Sequence, residues 1–323
     1  MKESVFVKRN AERWQSIEES ETSDPDELTA QFIALTDDLS YARTFYPGSQ
    51  VFRYLNGLTS QLHRKLYSNH REERGRIKNF WLYELPAISF QARHNLLYAL
   101  LFFTVAFMIG SVSAAHDDTF VRLILGDEYV NQTLENIANG DPLAIYKSHS
   151  QADMFLGITV NNIRVSLLAF AAGVVFSAGT IFILLQNGIM LGAFQYFFFE
   201  RGLLMESVLK IWIHGTLEIS AIVIAGAAGL LIGNSLLFPG TFTRLESFKH
   251  GAKKGLKLAV GLVPVFIAAG FLESFVTRLT LPVWGSVVII LVSAVFIVWY
   301  FIIYPRRLYN LDSHHFHLTY QSS

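Results

Sequence analysis

Cysteine is absent from the 323 residues, so disulfides, thiol catalysis and cysteine-ligated metals are excluded. Net charge is absent too: 26 lysines and arginines balance 26 aspartates and glutamates, and nothing in that balance attracts nucleic acid. No Gly-x-x-x-x-Gly-Lys-Ser/Thr loop is present to hold a nucleotide, and no Gly-x-Ser-x-Gly elbow to expose a nucleophilic serine. Roughly the first ninety residues lack any long apolar run, so no cleavable signal peptide is expected and the first span serves as an internal signal anchor.

What the chain has in quantity is apolar sequence without charge. Hydrophobic residues make up 52% of it and gather into uncharged runs at Leu96–Ala115, Val165–Leu185, Ile219–Phe238, Leu258–Leu272 and Leu281–Tyr304. A helix crosses about 30 Å of hydrocarbon with about 20 apolar residues, so these runs read as membrane spans, the fourth once Glu273–Val276 is added. None alternates with the period of two that a barrel strand needs. The expected fold is all-α, a polytopic helical membrane protein.

An excess of lysine and arginine marks cytoplasmic flanks. Arg64, Lys65, Arg71, Arg74, Arg76, Lys78 and Arg93 precede the first span against Glu72, Glu73 and Glu84, which places the N-terminus inside. Residues 116–164 carry Arg122, Lys147 and Arg164 against Asp117, Asp118, Asp127, Glu128, Glu135, Asp141 and Asp153, and belong outside. Arg244, Lys249, Lys253, Lys254 and Lys257 bring 239–257 back inside, and Arg306–Arg307 follow the last span. Two inside points then bracket residues 185–238 with a single full-length run between them, so a crossing is missing. Gly188–Phe199, about 18 Å long as a helix, supplies it as a short or broken third element. It extends through Gly202–Met205 or folds back as a re-entrant arm buried by protein. Six crossings with both termini cytosolic follow.

Residues 1–95 are expected to form a cytosolic helical domain and interfacial lead-in. The membrane domain is 96–305, with 116–164 as an extracytoplasmic helical cap, and 306–323 is a short cytosolic tail. Asp24-Pro25-Asp26-Glu27 starts one helix through Leu28, Phe32, Leu35, Leu39 and Ala42, and Pro47-Gly48 ends it. Val51, Tyr54, Leu58, Leu62 and Leu66 mark the apolar face of the next. Phe80, Trp81, Leu82 and Tyr83 behind basic residues resemble a segment lying in the membrane interface. His314, His315 and His317 in the tail could take an adventitious metal.

The most informative residues are the few ionisable ones beside the spans. His214 and Glu218 stand four apart at the mouth of the run that ends at Phe238, on a stripe with Glu206 and Lys210. Such groups are costly next to lipid unless they are partnered or used. Gly215 is a candidate helix break, which would expose terminal amides and carbonyls beside the pair, as in transporters with discontinuous spans. Asn187, next to Gly188, caps a half-helix or bonds between spans. Gly188-x-x-x-Gly192 and Gly229-x-x-x-Gly233 permit close helix approach. Glu273, within helical reach of Arg278, is expected to snorkel or pair locally. His-x-x-x-Glu supplies two metal ligands and no further pattern completes a site, so neither metal nor cofactor is expected and no residue is assigned a catalytic role.

Four stretches resemble the stage II sporulation protein M family of bacterial membrane proteins: Asn161-Asn162, Gln186-Asn187-Gly188 with Gly192, His214-Gly215 with Glu218, and Glu273-Ser274-Phe275-Val276-Thr277. In the sporulation member prolines frame the His-Gly and the Glu, where this chain has Ile213 and Ser220. The resemblance covers residues 96–305 and implies a bacterial cytoplasmic-membrane protein. The family's namesake localises peptidoglycan-remodelling enzymes, and the N-terminal extension resembles the longer, non-sporulation branch. What this implies is an integral membrane scaffold for cell-envelope partners, in contact with lipid and open to self-association. The alternative is a carrier or channel for a small solute, lipid or ion. Its candidate ligand- or partner-binding residues are Asn187, Gly188, His214, Gly215, Glu218 and Glu273. A further alternative is an intramembrane enzyme using His214 as acid or base.

Overall fold

The computed structural model describes residues 2–20, 22, 24–68, 75–142 and 150–309; the tail histidines fall outside them. Among the described residues every regular element is helical, and six helices are long and apolar enough to cross a membrane. The chain divides into two units, Met1–Arg76 and Ile77–Ser323.

In the first unit, α1 (Glu3–Glu18), α2 (Pro25–Phe45) and α3 (Gln50–Ser68) enclose a small core. Asp24 accepts from the Asp26 amide at the start of α2, with Pro25 in the first turn, and Ser49 accepts from the Phe52 amide before α3. Each cap satisfies an amide that the helix itself leaves unpaired. Leu28, Leu35, Ala42, Val51, Leu58 and Leu62 are buried, as their spacing predicts. Leu55 joins them, while Tyr54 sits at the edge and donates to Glu18 at 2.6 Å. The first helix lacks a strong apolar stripe, yet it supplies Phe6, Trp14 and Ile17 to the core, and Trp14 Nε1 donates to Asp38 at 2.7 Å.

The boundary between the units falls in the first turn of α4 (Arg76–Asn79), which a π turn at Phe80–Glu84 and α5 (Leu85–Gln91) follow. Leu85 and Ile88 pack into the bundle core. Tyr300 and Tyr304 donate to the carbonyls of Trp81 and Leu82, and Glu84 pairs with Lys257. The first span is α6 (Arg93–His116). Two short helices, α7 (Asp118–Leu125) and α8 (Asp127–Ala138), form the cap. The second span is α9 (Gln151–Ala171), closed by a 3-10 turn at Ala172–Val174, and the third is α10 (Ala178–Glu200). The fourth, α11 (Leu204–Leu237), is the central post: 34 residues long, with most of its length buried by the others. The fifth runs through α12 (Arg244–Gly261), α13 (Val263–Phe271) and a π turn at Leu272–Val276. The sixth is α14 (Val283–Val298) with a π turn at Trp299–Ile303. Pro264 sits in the first turn of α13, where its missing amide costs nothing and the helix changes direction. Outward-facing Leu97, Leu101, Met108, Val288, Leu291 and Val295 stay exposed, as surfaces that meet lipid do.

Small residues hold α11 against its neighbours. A methyl group on Gly229 would overlap the Ala169 carbonyl and Thr180, one on Gly226 would meet Leu184, and one on Gly233 would strike Ser177. Gly188 and Gly192 lie similarly close to the α6 backbone at Phe103 and Phe107. Both Gly-x-x-x-Gly pairs are thus helix-packing contacts.

The third crossing corrects the sequence reading. It is neither short nor broken, because the run Val165–Leu185 is not one span: the chain reverses within it, at Val175–Ser177. Phe176 and Ser177 adopt positive φ values of 47° and 68°. That conformation costs non-glycine residues about 1 kcal/mol or more each. The turn uses neither proline nor charge, so nothing in the composition marks it. Moving the turn gives α10 all 23 of its residues and removes any need for a re-entrant arm. Gly215 likewise breaks nothing, since α11 passes through it as continuous helix. With Ile213 and Ser220 in place of prolines, every backbone amide there can join the helix.

Candidate functional site

A cavity of about 410 Å³ lies inside the membrane bundle beneath the cap. α11 presents Ile211, His214, Glu218 and Ile222 to it, the three- and four-residue spacing of one helix face. Asn161, Asn162 and Val165 come from α9, Asn187, Met190, Leu191 and Phe194 from α10, and Phe103 from α6. Ile124, Leu125 and Tyr129 of the cap form the roof, and Glu273 enters from the π turn after α13. Burial pushes the Tyr129 phenol up to about 12, so it remains a protonated donor over the chamber.

The π turn sets the position of Glu273. The Thr277 amide donates to the Leu272 carbonyl at 2.9 Å, closing a five-residue turn wider than an α-turn. The Thr277 hydroxyl donates to the same carbonyl at 3.1 Å, so its oxygen accepts from His214 Nδ1, 3.2 Å away. That chain puts the ring proton on Nδ1 and the lone pair on Nε2. His214 Nε2 faces Glu273 Oε1 at 3.8 Å. Ligand atoms of His214, Glu218 and Glu273 all lie within 4.8 Å of one another. Asn162, only 5% exposed, stands within hydrogen-bonding range of the Glu218 side chain.

The expected site residues separate into two groups. His214, Glu218, Glu273 and Asn187 line one chamber, although Asn187 turns its Nδ2 to the Ile183 carbonyl at 2.8 Å. Gly188 faces α6 instead, and Gly215 is buried within α11 with only Ile211 and Ile219 side chains near it. Glu273 does not make the local ion pair expected with Arg278. Its carboxylate turns to His214, and the Arg278 guanidinium meets the Met154 sulfur at 3.0 Å. The structure therefore adds a third ligating group to the two that the His-x-x-x-Glu spacing offered. Asn162 and Thr277 stood in the stretches that carry the resemblance but were not among the candidate binding residues, and Tyr129 was in neither. One signal was present: Glu273 and Thr277 repeat on the fifth span the four-residue spacing of His214 and Glu218 on the fourth.

A family model described as Stage II sporulation protein M matches residues 99–278. The chain belongs to the stage II sporulation protein M family. A second model, described as Domain of unknown function (DUF8413), matches residues 4–68, the three helices of the first unit. No curated protein and no solved structure gives a match. Every residue lining the chamber falls inside the segment matched to the sporulation protein M family. The four stretches that carry the resemblance, distant in sequence, converge there: Asn161 and Asn162, Asn187, His214 with Glu218, and Glu273 backed by Thr277.

Proposed function

We propose that this membrane protein binds a small polar or ionic ligand in the chamber beneath its cap. The observation that carries this is the convergence of His214, Glu218 and Glu273, from two different spans, on a cavity bordered by three asparagines, Asn161, Asn162 and Asn187. Burying an acid costs several kcal/mol unless something compensates it, and a purely structural junction needs neither two acids nor room between them. Free conduction is the weaker form of this reading. Beyond Ile222, α11 packs closely on its neighbours at Gly226, Gly229 and Gly233, which narrows the bundle between the chamber and the far end.

In detergent, thermal unfolding of the full chain against a panel of monovalent cations, divalent cations, small amines and small amphiphiles tests the reading. A true ligand at a hundredfold excess over its Kd adds about 2.7 kcal/mol. That gain should vanish in Glu218→Gln and persist in Glu246→Gln, which lies on the exposed start of α12. Silence across the panel would overturn the proposal.

A scaffold role for cell-envelope partners is the second reading. It is favoured by the first unit, which has a small helical core of its own, and by the two helices of the cap, none of which is a candidate span. Crosslinking in native membranes separates the two readings, because a scaffold keeps its partners when Glu218→Gln silences the chamber.

We place the protein in the bacterial cytoplasmic membrane with both termini cytosolic, on the basic flanks and an even number of crossings. The lack of cysteine makes this simple to check. In intact cells a cysteine at Asn139, in the cap, should react with an impermeant maleimide, and one at Gly240, after α11, should react only after lysis. The reverse pattern would invert the topology.

A further inference from the structure

We propose that His214, Glu218 and Glu273 form a binding site for one divalent first-row transition ion, with an open coordination position facing the chamber. This rests on the chamber being a ligand site and names its ligand class. The geometry is close to what such an ion requires. Bonds of about 2.0–2.2 Å to nitrogen and carboxylate oxygen place three ligand atoms of one tetrahedral ion about 3.4 Å apart. The three groups already lie within 4.8 Å, and His214 Nε2 and Glu273 Oε1 are 3.8 Å apart. Closing the triangle around an ion draws the widest of these separations in by about 1.4 Å, within reach of side-chain rotation. The hydrogen-bond chain from Nδ1 through Thr277 to the Leu272 carbonyl keeps the lone pair on Nε2. Such a second partner orients a metal-bound imidazole and raises its basicity.

Charge leads to the same conclusion. Two carboxylates facing each other in a low-dielectric bundle repel, and a dication neutralises both at once. One imidazole with two carboxylates suits zinc, manganese or ferrous iron better than magnesium, which favours an all-oxygen shell, or cuprous copper, which favours sulfur. Asn162, only 5% exposed, lines the same chamber within hydrogen-bonding range of the Glu218 side chain, a second partner of the kind that orients a ligating carboxylate. The cavity leaves room for a water at the open position.

The full chain, purified without chelator, should carry about one equivalent of zinc, manganese or iron by elemental analysis. After stripping, Co2+ should restore binding with visible d–d bands. Glu218→Gln and Glu273→Gln should each weaken it at least tenfold, and Glu246→Gln should not. Since these variants could be faulted for misfolding, His214→Cys provides a positive signature in a chain with no other thiol. Cobalt should then show a sulfur-to-metal charge-transfer band that the parent lacks. A folded parent that neither retains nor takes up a divalent metal would overturn the metal site, as would equal loading in all the variants. If another solute still stabilises the parent through Glu218, the chamber remains a ligand site and only the metal assignment fails.

Discussion

Gly229→Val should leave no folded protein in detergent extracts, whereas Gly215→Ala should be neutral or slightly stabilising. Both glycines lie on the same helix, and both are buried. The difference is in what surrounds them. A Cβ on Gly229 would collide with the Ala169 carbonyl and the Thr180 side chain, and Gly173, one turn beyond Ala169, lies as close to the Gly229 carbonyl. Backbone cannot move aside without separating α9, α10 and α11 together, so the expected loss exceeds about 4 kcal/mol, the range reserved for gross overpacking. At Gly215 the nearest atoms to an added Cβ are flexible side-chain carbons of Ile219 and Ile211 at 3.7 and 3.8 Å, an ordinary contact. Alanine there fills available space and stiffens a helix interior, a gain of roughly 0.5–1 kcal/mol. Size-exclusion profiles and thermal unfolding of the two variants decide the matter. If they melted alike, the close-packed account of α11 would be wrong.

The same contrast shows which parts of the structure were legible in the sequence. The span count followed from charge bookkeeping, because the requirement for a sixth crossing does not depend on where the turns lie. The position of the turn at Val175–Ser177 was not legible, since Phe176 and Ser177 take left-handed conformations with no residue type that announces them. In the first unit, α2 and α3 could be read from capping residues and apolar spacing. The helix Glu3–Glu18 could not, because its buried residues Phe6, Trp14 and Ile17 are spread too thinly to form a stripe. At the site, His214 and Glu218 stood out because ionisable groups are rare beside apolar runs. Glu273 was visible but misassigned: five residues before Arg278 it looks locally paired. Only the π turn, invisible in composition, rotates it toward α11. Asn162 was missed for a different reason. The stretch Asn161-Asn162 was visible as a motif, but its place beside Glu218 shows only once the fold packs α9 against α11.

Glu273→Gln should raise the stability of the metal-stripped protein by about 1–3 kcal/mol while abolishing ligand binding. The two acids lie within 4.8 Å of each other. Two full charges at that separation repel by about 3.5 kcal/mol at an effective dielectric constant of about 20. An amide of the same shape removes that repulsion and the cost of desolvating one charge, and a proton shared between the acids before mutation would place the gain at the lower end of the range. Glu218→Gln should act in the same direction. The double variant should gain less than the sum, because the second substitution finds no repulsion left to relieve. The sign matters more than the size. With the imidazole proton on Nδ1 and committed to Thr277, the 3.8 Å approach of His214 to Glu273 is not an ion pair, and neutralising the acid stabilises. Were the ring an imidazolium, the same substitution would strand a buried cation and cost about 3–5 kcal/mol. Unfolding in excess chelator, parent against variant at fixed pH, separates these outcomes. A destabilised Glu273→Gln would show that the cluster is a salt bridge holding the bundle together, and that its acids are not poised for a cation.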